Sequence, residues 1–317
     1  MMTLINKRSQ QSGLTLVELM VAIVVGSLLV IAAVYMFVSS KRIYSQSERA
    51  MRINENGRFA LNVLAEDLRH ADYWGSVPGT DVQRSGTLRS ISGDCSGNAA
   101  GYDLTAPLWS VEVASSSVFG CISDAIPGSN ALVIKHVAQQ PTDATGLKAD
   151  RAYVLANPVK AVLFDDVKNA PTHTPGGEFP NGKFWEYKST IYYVRDNEKA
   201  VPSLYRLRLV NGQWSEPQEV AVGIERLHVQ FGVDSNGDGS VDAYLRAGDV
   251  DWSQVVAARV YLLVRSEQED KTYKDTRTYR LGDAIEIKSP GDSYHRMVFN
   301  TSVALRNRRL AVSEGAL

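Results

Sequence analysis

Nineteen consecutive residues, Met20–Val38, carry neither a charge nor a proline, and they sit near the start of a 317-residue chain. As a helix the stretch is about 28 Å long, close to the hydrocarbon thickness of a bilayer. A short polar leader with Lys7 and Arg8 precedes it, and basic residues stay on the cytoplasmic side. The rest of the chain is then expected beyond the inner membrane. Two other readings share this charge order. A secretory signal needs a shorter apolar core and a small-x-small cleavage site, whereas Tyr35-Met36-Phe37-Val38-Ser39-Ser40 follows here. A plain uncleaved anchor gives no reason for Glu18, a carboxylate at the edge of the apolar run whose burial in lipid is costly. An intramembrane acid with no base in its own segment calls for a partner outside it.

Ser12-Gly13 followed by Leu14-Thr15-Leu16-Val17-Glu18-Leu19-Met20 resembles the class III leader of type IV pilins and type II secretion pseudopilins. The resemblance implies cleavage between Gly13 and Leu14 by a membrane peptidase, followed by N-methylation of Leu14. It also implies that Glu18, fifth in the mature chain, pairs with the terminal amine of an adjoining subunit. Leu14 replaces the commoner phenylalanine. Tyr35 stands about where major pilins often carry a kinking proline, which leaves this helix straighter. Asn54-Glu55-Asn56-Gly57-Arg58-Phe59-Ala60-Leu61, Asp67-Leu68-Arg69 and the carboxyl stretches 258–266 and 296–307 resemble the PilW group of minor pilins.

No proline occurs before Pro78, and Ser40–Asn56 has no helix stop. Leu61, Leu64, Leu68 and Ala71 step by three, four and three, which places them on one helical face. The helix is therefore expected to run from the membrane into a globular domain, with Glu66, Asp67 and Arg69 toward water. A membrane helix followed by a separate amphipathic one has the same periodicity. Gly57 marks an expected weak point, since glycine costs about 1 kcal/mol relative to alanine there.

Beyond the helix the pattern is strands. Ser110–Val118, Ala131–Val137, Thr190–Val194 and Leu204–Val210 read as extended, and Lys135-His136 reads as a solvent-facing strand end. Asn211-Gly212 signals a hairpin. In Ile224–Phe231 the apolar Leu227, Val229 and Phe231 alternate with Arg226, His228 and Gln230, so one face is expected to be buried. Val255–Val264 suits a central strand. The fold class is α+β. The resemblance makes it pilin-like: leader 1–13, transmembrane helix 14–38, amphipathic helix 39–72, variable region 73–183, and a β-rich PilW-type region 184–317 with an antiparallel sheet against the helix.

Two cysteines are too few for a disulfide scaffold or a four-thiolate zinc site. Cys95 and Cys121 are expected to bridge in an oxidising compartment, with two unrelated buried thiols as the alternative. Such a bridge stabilises by roughly 3–4 kcal/mol in the chain-entropy model. Asp234-Ser235-Asn236-Gly237-Asp238-Gly239-Ser240-Val241-Asp242 places oxygens at alternate positions around a glycine turn. Asp234, Asn236, Asp238, the Ser240 carbonyl and Asp242 could hold Ca2+, with Asp249 or Asp251 folding back. Leu245 stands where a full EF-hand needs a bidentate acid, and a polar hairpin is the alternative.

The 35 acids against 34 Lys plus Arg, with no basic block, argue against a nucleic-acid partner. The histidines (70, 136, 173, 228, 295) are scattered, and no nucleophile elbow or phosphate-cradling loop occurs. Gly291-Asp292-Ser293 with His295 reads as a turn rather than a catalytic serine. An enzyme is not expected. The resemblance implies a low-abundance pilus subunit that primes assembly near the tip. Its partners would be the prepilin peptidase, inner-membrane lipid, major and minor pilins, and a tip adhesin, and twitching motility would depend on it. The alternatives are a type II secretion minor pseudopilin and a calcium-dependent membrane-anchored adhesin.

Overall fold

The computed structural model describes Gly13 and residues 15–75, 77–78, 81–283 and 285–308. Helix α1 (Leu16–His70) is a single element, with Arg69 and His70 in its last turn, where cations suit the carbonyl end of the helix. It ends at Asp72, whose φ of 63° is left-handed and incompatible with a further helical turn. Fifteen strands follow among the described residues: β1 (Val82–Arg84), β2 (Leu108–Glu112), β3 (Asn130–Val137), β4 (Tyr153–Ala156), β5 (Ala161–Phe164), β6 (Lys183–Asp196), β7 (Pro202–Val210), β8 (Gln213–Trp214), β9 (Gln218–Val222), β10 (Ile224–Val233), β11 (Ala243–Arg246), β12 (Val255–Arg265), β13 (Thr278–Leu281), β14 (Ile285–Lys288) and β15 (Arg296–Ala304).

The chain divides into two compact units, one ending at Met51 and one beginning at Arg52. In the first, every described side chain from Thr15 to Tyr44 is exposed, apolar ones included. α1 is the one described helix long and apolar enough to cross a membrane. Such a surface is unfavourable in water and suited to lipid or to other apolar helices.

The second unit has a nine-stranded sheet ordered β1-β5-β4-β6-β3-β2, with β7 on β6 and β8 and β9 on β7. Its long member β6 pairs with β4 at Lys183–Glu186 and with β3 and β7 further along, so one sheet draws strands from both sides of residue 183. A four-stranded antiparallel sheet follows in the order β11-β10-β12-β15, and β13 and β14 form a hairpin. The expected stripe on α1 is buried: Leu61, Leu64, Leu68 and Ala71 join Leu227, Val229, Phe231 and Leu262 from the four-stranded sheet and Leu132, Ile134 and Tyr192 from the larger one. Asp67 departs from the water-facing expectation, because it accepts the Tyr192 hydroxyl at 2.5 Å.

Four polar residues expected to face water are buried instead. Lys135 and His136 do not face solvent; they are 0% and 5% exposed on a strand flanked by β2 and β6. The Lys135 Nζ donates to the carbonyls of Asn98 and Asp103 at 2.8 and 2.7 Å. Burial pushes its pKa down to about 8, against the pull of Asp103 and Asp94. On β10 the second face is buried as well, with His228 and Gln230 each 3% exposed. His228 Nδ1 lies 3.1 Å from Asn130 Oδ1, and its ring stacks on Tyr261.

Burial, and then the charge of Arg246, lower His228 to about 4. Between that value and its unfolded pKa of about 6.5, the unfolded chain binds a proton that the folded chain does not. Stability is therefore complete above about pH 6.5 and falls by roughly 3 kcal/mol as pH drops to about 4. Denaturant titrations at pH 7 and pH 4.5 should show this loss, and His228→Gln should flatten it. An equal slope in the variant would remove His228 as the cause.

Gly57 is a close-approach position rather than a weak point. A Cβ there would sit 2.6 Å from two ring carbons of Phe299 on β15. Gly57→Ala should therefore destabilise by about 1–3 kcal/mol through overpacking, even though alanine is the better helix former. Thermal melts of Gly57→Ala and of Gly57→Ala with Phe299→Leu check this, since the second change should recover most of the loss.

Candidate assembly site and metal loop

At the start of α1, Thr15 and Glu18 form a reciprocal cap. The Thr15 amide and hydroxyl both donate to Glu18 Oε2 at 2.9 Å, and the Glu18 amide donates to Thr15 Oγ1 at 3.3 Å. This is the Thr-x-x-Glu capping box, legible in the sequence yet overlooked beside the apolar run. The cap pins the carboxylate over the first turn, where the amide ends of the helix favour negative charge. Glu18 thus has a local role in the lone chain. Leu14, the leader with Lys7 and Arg8, and the Gly13–Leu14 bond lie at or outside the edge of the described residues.

Cys95 and Cys121 form the expected disulfide, with S–S 1.98 Å and Cα atoms 4.9 Å apart. The Ser96 amide donates to the Phe119 carbonyl at 2.7 Å, which holds the two cysteine loops together. Asp94 Oδ1 gathers the Cys95 amide, the Gly101 amide and Trp214 Nε1, so the bridge is buttressed from β8.

The loop Asp234–Asp242 joins β10 to β11. Asp234 is 2% exposed, and its two oxygens accept the Gly237 and Gly239 amides at 2.8 and 2.7 Å. Both glycines have positive φ, which the turn requires. Asp238 Oδ1 accepts the Ser240 amide at 2.7 Å. Asp242 Oδ2 accepts the Ser235 hydroxyl and amide at 2.6 and 2.8 Å, and these bonds lower its pKa. Asn236 Nδ2 donates toward Asp238 and Asp242 at 3.3 and 3.4 Å. Its amide hydrogens thus occupy the space between two carboxylates.

The donor set is hard oxygen, the kind calcium prefers. Among the described residues, however, no three His, Cys, Asp or Glu side chains are placed together to hold a metal. Asp251 is engaged elsewhere, accepting the Ser253 hydroxyl at 2.7 Å and amide at 3.0 Å.

Sequence reasoning missed the buried charge cluster at the far end of the four-stranded sheet. Arg296 bonds Glu225 at 2.6 Å, Asp292 at 2.6 Å and Asp275 at 3.1 Å. The turn Gly291-Asp292-Ser293 therefore serves to present Asp292 to Arg296, and His295 pairs with Asp270 at 3.1 Å.

Residues 8–34 match the prokaryotic N-terminal methylation motif, and residues 191–307 match type IV pilus-assembly protein W. A type IV-like pilin from Thermus thermophilus is similar at 12% identity over 81% of this chain and 97% of that one, with a TM-score of 0.36. No curated protein matches the chain. The motif at the head of an apolar helix makes this a prepilin-type protein, anchored in a membrane by that helix. More narrowly, the PilW-type match over residues 191–307 together with that motif supports a minor pilin of a type IV pilus.

Proposed function

We propose that this minor pilin primes pilus assembly and stays near the tip, acting as a structural subunit rather than an enzyme. The supporting observation is helix α1. Its first part offers a mostly apolar surface outward with one capped carboxylate at its head, and its last part is built into the globular unit's core. In this reading the chain waits in the inner membrane with its globular unit in the periplasm. A peptidase cuts after Gly13 and Leu14 is methylated. The helix then exchanges lipid for neighbouring pilin helices, and Glu18 meets a terminal amine. Leaving lipid is favourable only if helix packing and that ion pair replace what is lost.

The test is a strain lacking the gene. Surface pili and twitching should be lost while exoprotein secretion continues. Intact piliation with blocked secretion would instead assign the chain to a type II secretion system.

We also propose Ca2+ at the Asp234–Asp242 loop. The support is the sequence spacing of Asp234, Asp238 and Asp242, three acids within the nine residues of one loop, whose mutual repulsion a cation would relieve. Binding would require Asn236 to turn its carbonyl oxygen inward. Calorimetry of the full chain in detergent with CaCl2 should show binding that Asp238→Ala removes, and no heat with the unaltered protein would overturn the proposal.

A further inference from the structure

Beside the last turn of α1 lies a hollow of about 300 Å³ whose walls include Glu66, Asp67, His70, His136, Gln139 and Lys188. Assembly, as described above, uses none of these side chains. His70 Nδ1 lies 2.8 Å from the Glu66 carbonyl oxygen, and His136 Nδ1 lies 2.8 Å from the Val137 carbonyl oxygen. A carbonyl oxygen only accepts, so in each ring Nδ1 carries the hydrogen and the neutral lone pair is left on Nε2. Imidazoles that bind metals are held in this way, with the second nitrogen tied to a backbone carbonyl or carboxylate.

The two ring centres are 5.7 Å apart, with planes inclined at 32°. Two imidazoles bound to one tetrahedral ion through nitrogens at about 2.0–2.1 Å have centres about 5 Å apart. A small rotation of His70, half-buried at the end of the helix, closes the difference. Asp67 and Glu66 supply negative charge at the rim, and Lys188 opposes it.

We propose that His70 and His136 form a two-imidazole site for a divalent transition-metal ion, clamping the last turn of α1 to β3. Imidazole pairs select copper, nickel and zinc over calcium and magnesium. Since no three acidic, histidine or cysteine side chains converge among the described residues, water completes the coordination. The site is separate from the Asp234–Asp242 loop in ligand type and does not depend on the pilus reading.

The test uses the full chain in detergent micelles, without a histidine tag, titrated with Cu2+ and followed by electron paramagnetic resonance. One equivalent should bind with hyperfine coupling to two imidazole nitrogens, and Cu2+ should displace Zn2+ bound beforehand. His70→Gln, at a half-buried position in the last helical turn, should keep the fold by circular dichroism and weaken binding by about tenfold or more. The buried His136→Gln should do the same, and His173→Gln should change nothing. Zn2+ should raise the melting temperature of the unaltered protein and not that of His70→Gln. Equal copper affinity in His70→Gln, a spectrum without imidazole nitrogen, or no binding by the unaltered protein would each overturn the proposal.

Discussion

Glu18→Ala is expected to remove the protein from pili while leaving it membrane-bound and leader-processed. The carboxylate is the one charge at the head of an otherwise apolar exposed surface, and nothing else in that segment can attract a terminal amine. A charge-assisted hydrogen bond of the usual strength changes an equilibrium by about ten- to hundred-fold. Incorporation, read by immunoblotting sheared pili against the membrane fraction, should fall by that factor. Glu18→Gln keeps a hydrogen-bonding shape without the charge and should fall between the two.

The capping box supplies a necessary control. Glu18→Ala also removes the bonds to the Thr15 amide and hydroxyl, so a frayed helix start could mimic a lost ion pair. Thr15→Ala removes the side-chain part of the cap and keeps the carboxylate, so it should be incorporated almost normally. If Thr15→Ala fails as badly as Glu18→Ala, capping rather than pairing is the function of the acid.

The second large effect concerns stability. Arg296→Met should destabilise the globular unit by about 3–5 kcal/mol, because it takes the buried guanidinium from the buried Asp275 carboxylate and leaves it the half-exposed Arg277. Asp275 is fully buried and takes bonds from Tyr279 at 2.7 Å, Arg277 at 3.1 Å and Arg296 at 3.1 Å. Burial alone would raise its pKa, but the bonds from Tyr279, Arg277 and Arg296 outweigh that and hold it well below the usual carboxylate range. A depressed carboxylate contributes stability above its unfolded pKa of about 4 and loses it as pH falls further.

Urea titrations at pH 7 should show the full cost in Arg296→Met and a smaller gap from the unaltered protein at pH 3. Arg280→Met, which breaks the exposed pair with Glu286, should change little. A change in Arg296→Met no larger than that of Arg280→Met would show that the cluster contributes no net stability.

What could be read from the chain depended on how local the cause was. The apolar run, the absence of proline before Pro78 and the 3–4–3 spacing of Leu61, Leu64, Leu68 and Ala71 are local signals, and α1 follows them. The strand over Ile224–Phe231 likewise appears as β10, two residues longer. Ser110–Val118 was cut short at Glu112 because the chain turns through the serines 115–117 before its Val118–Ile122 bridge.

The misreadings share one origin. His228 and Gln230 alternate as though one strand face met water, and Lys135-His136 reads as though a strand end did; each rule holds only if nothing covers those side chains. Coverage comes from residues far away in sequence: Asn98 and Asp103 cap Lys135, and Asn130 meets His228. Gly57 reads as a flaw until Phe299, more than two hundred residues on, is seen against it. Arg296 stood in the resemblance only as one residue of a stretch; its partners Glu225, Asp275 and Asp292 are scattered over the chain. The Thr15-x-x-Glu18 cap was the exception, a local motif eclipsed by the stronger demand of a lone acid beside an apolar run.

The central claim is that the chain is processed at its head so that a helix with a free, modified amine can join other helices. N-terminal mass spectrometry of the protein taken from membranes of cells with an active prepilin peptidase tests it directly. The account predicts a mature chain beginning at methylated Leu14, with residues 1–13 gone. Recovery of the chain with Met1 or Met2 still in place would contradict it.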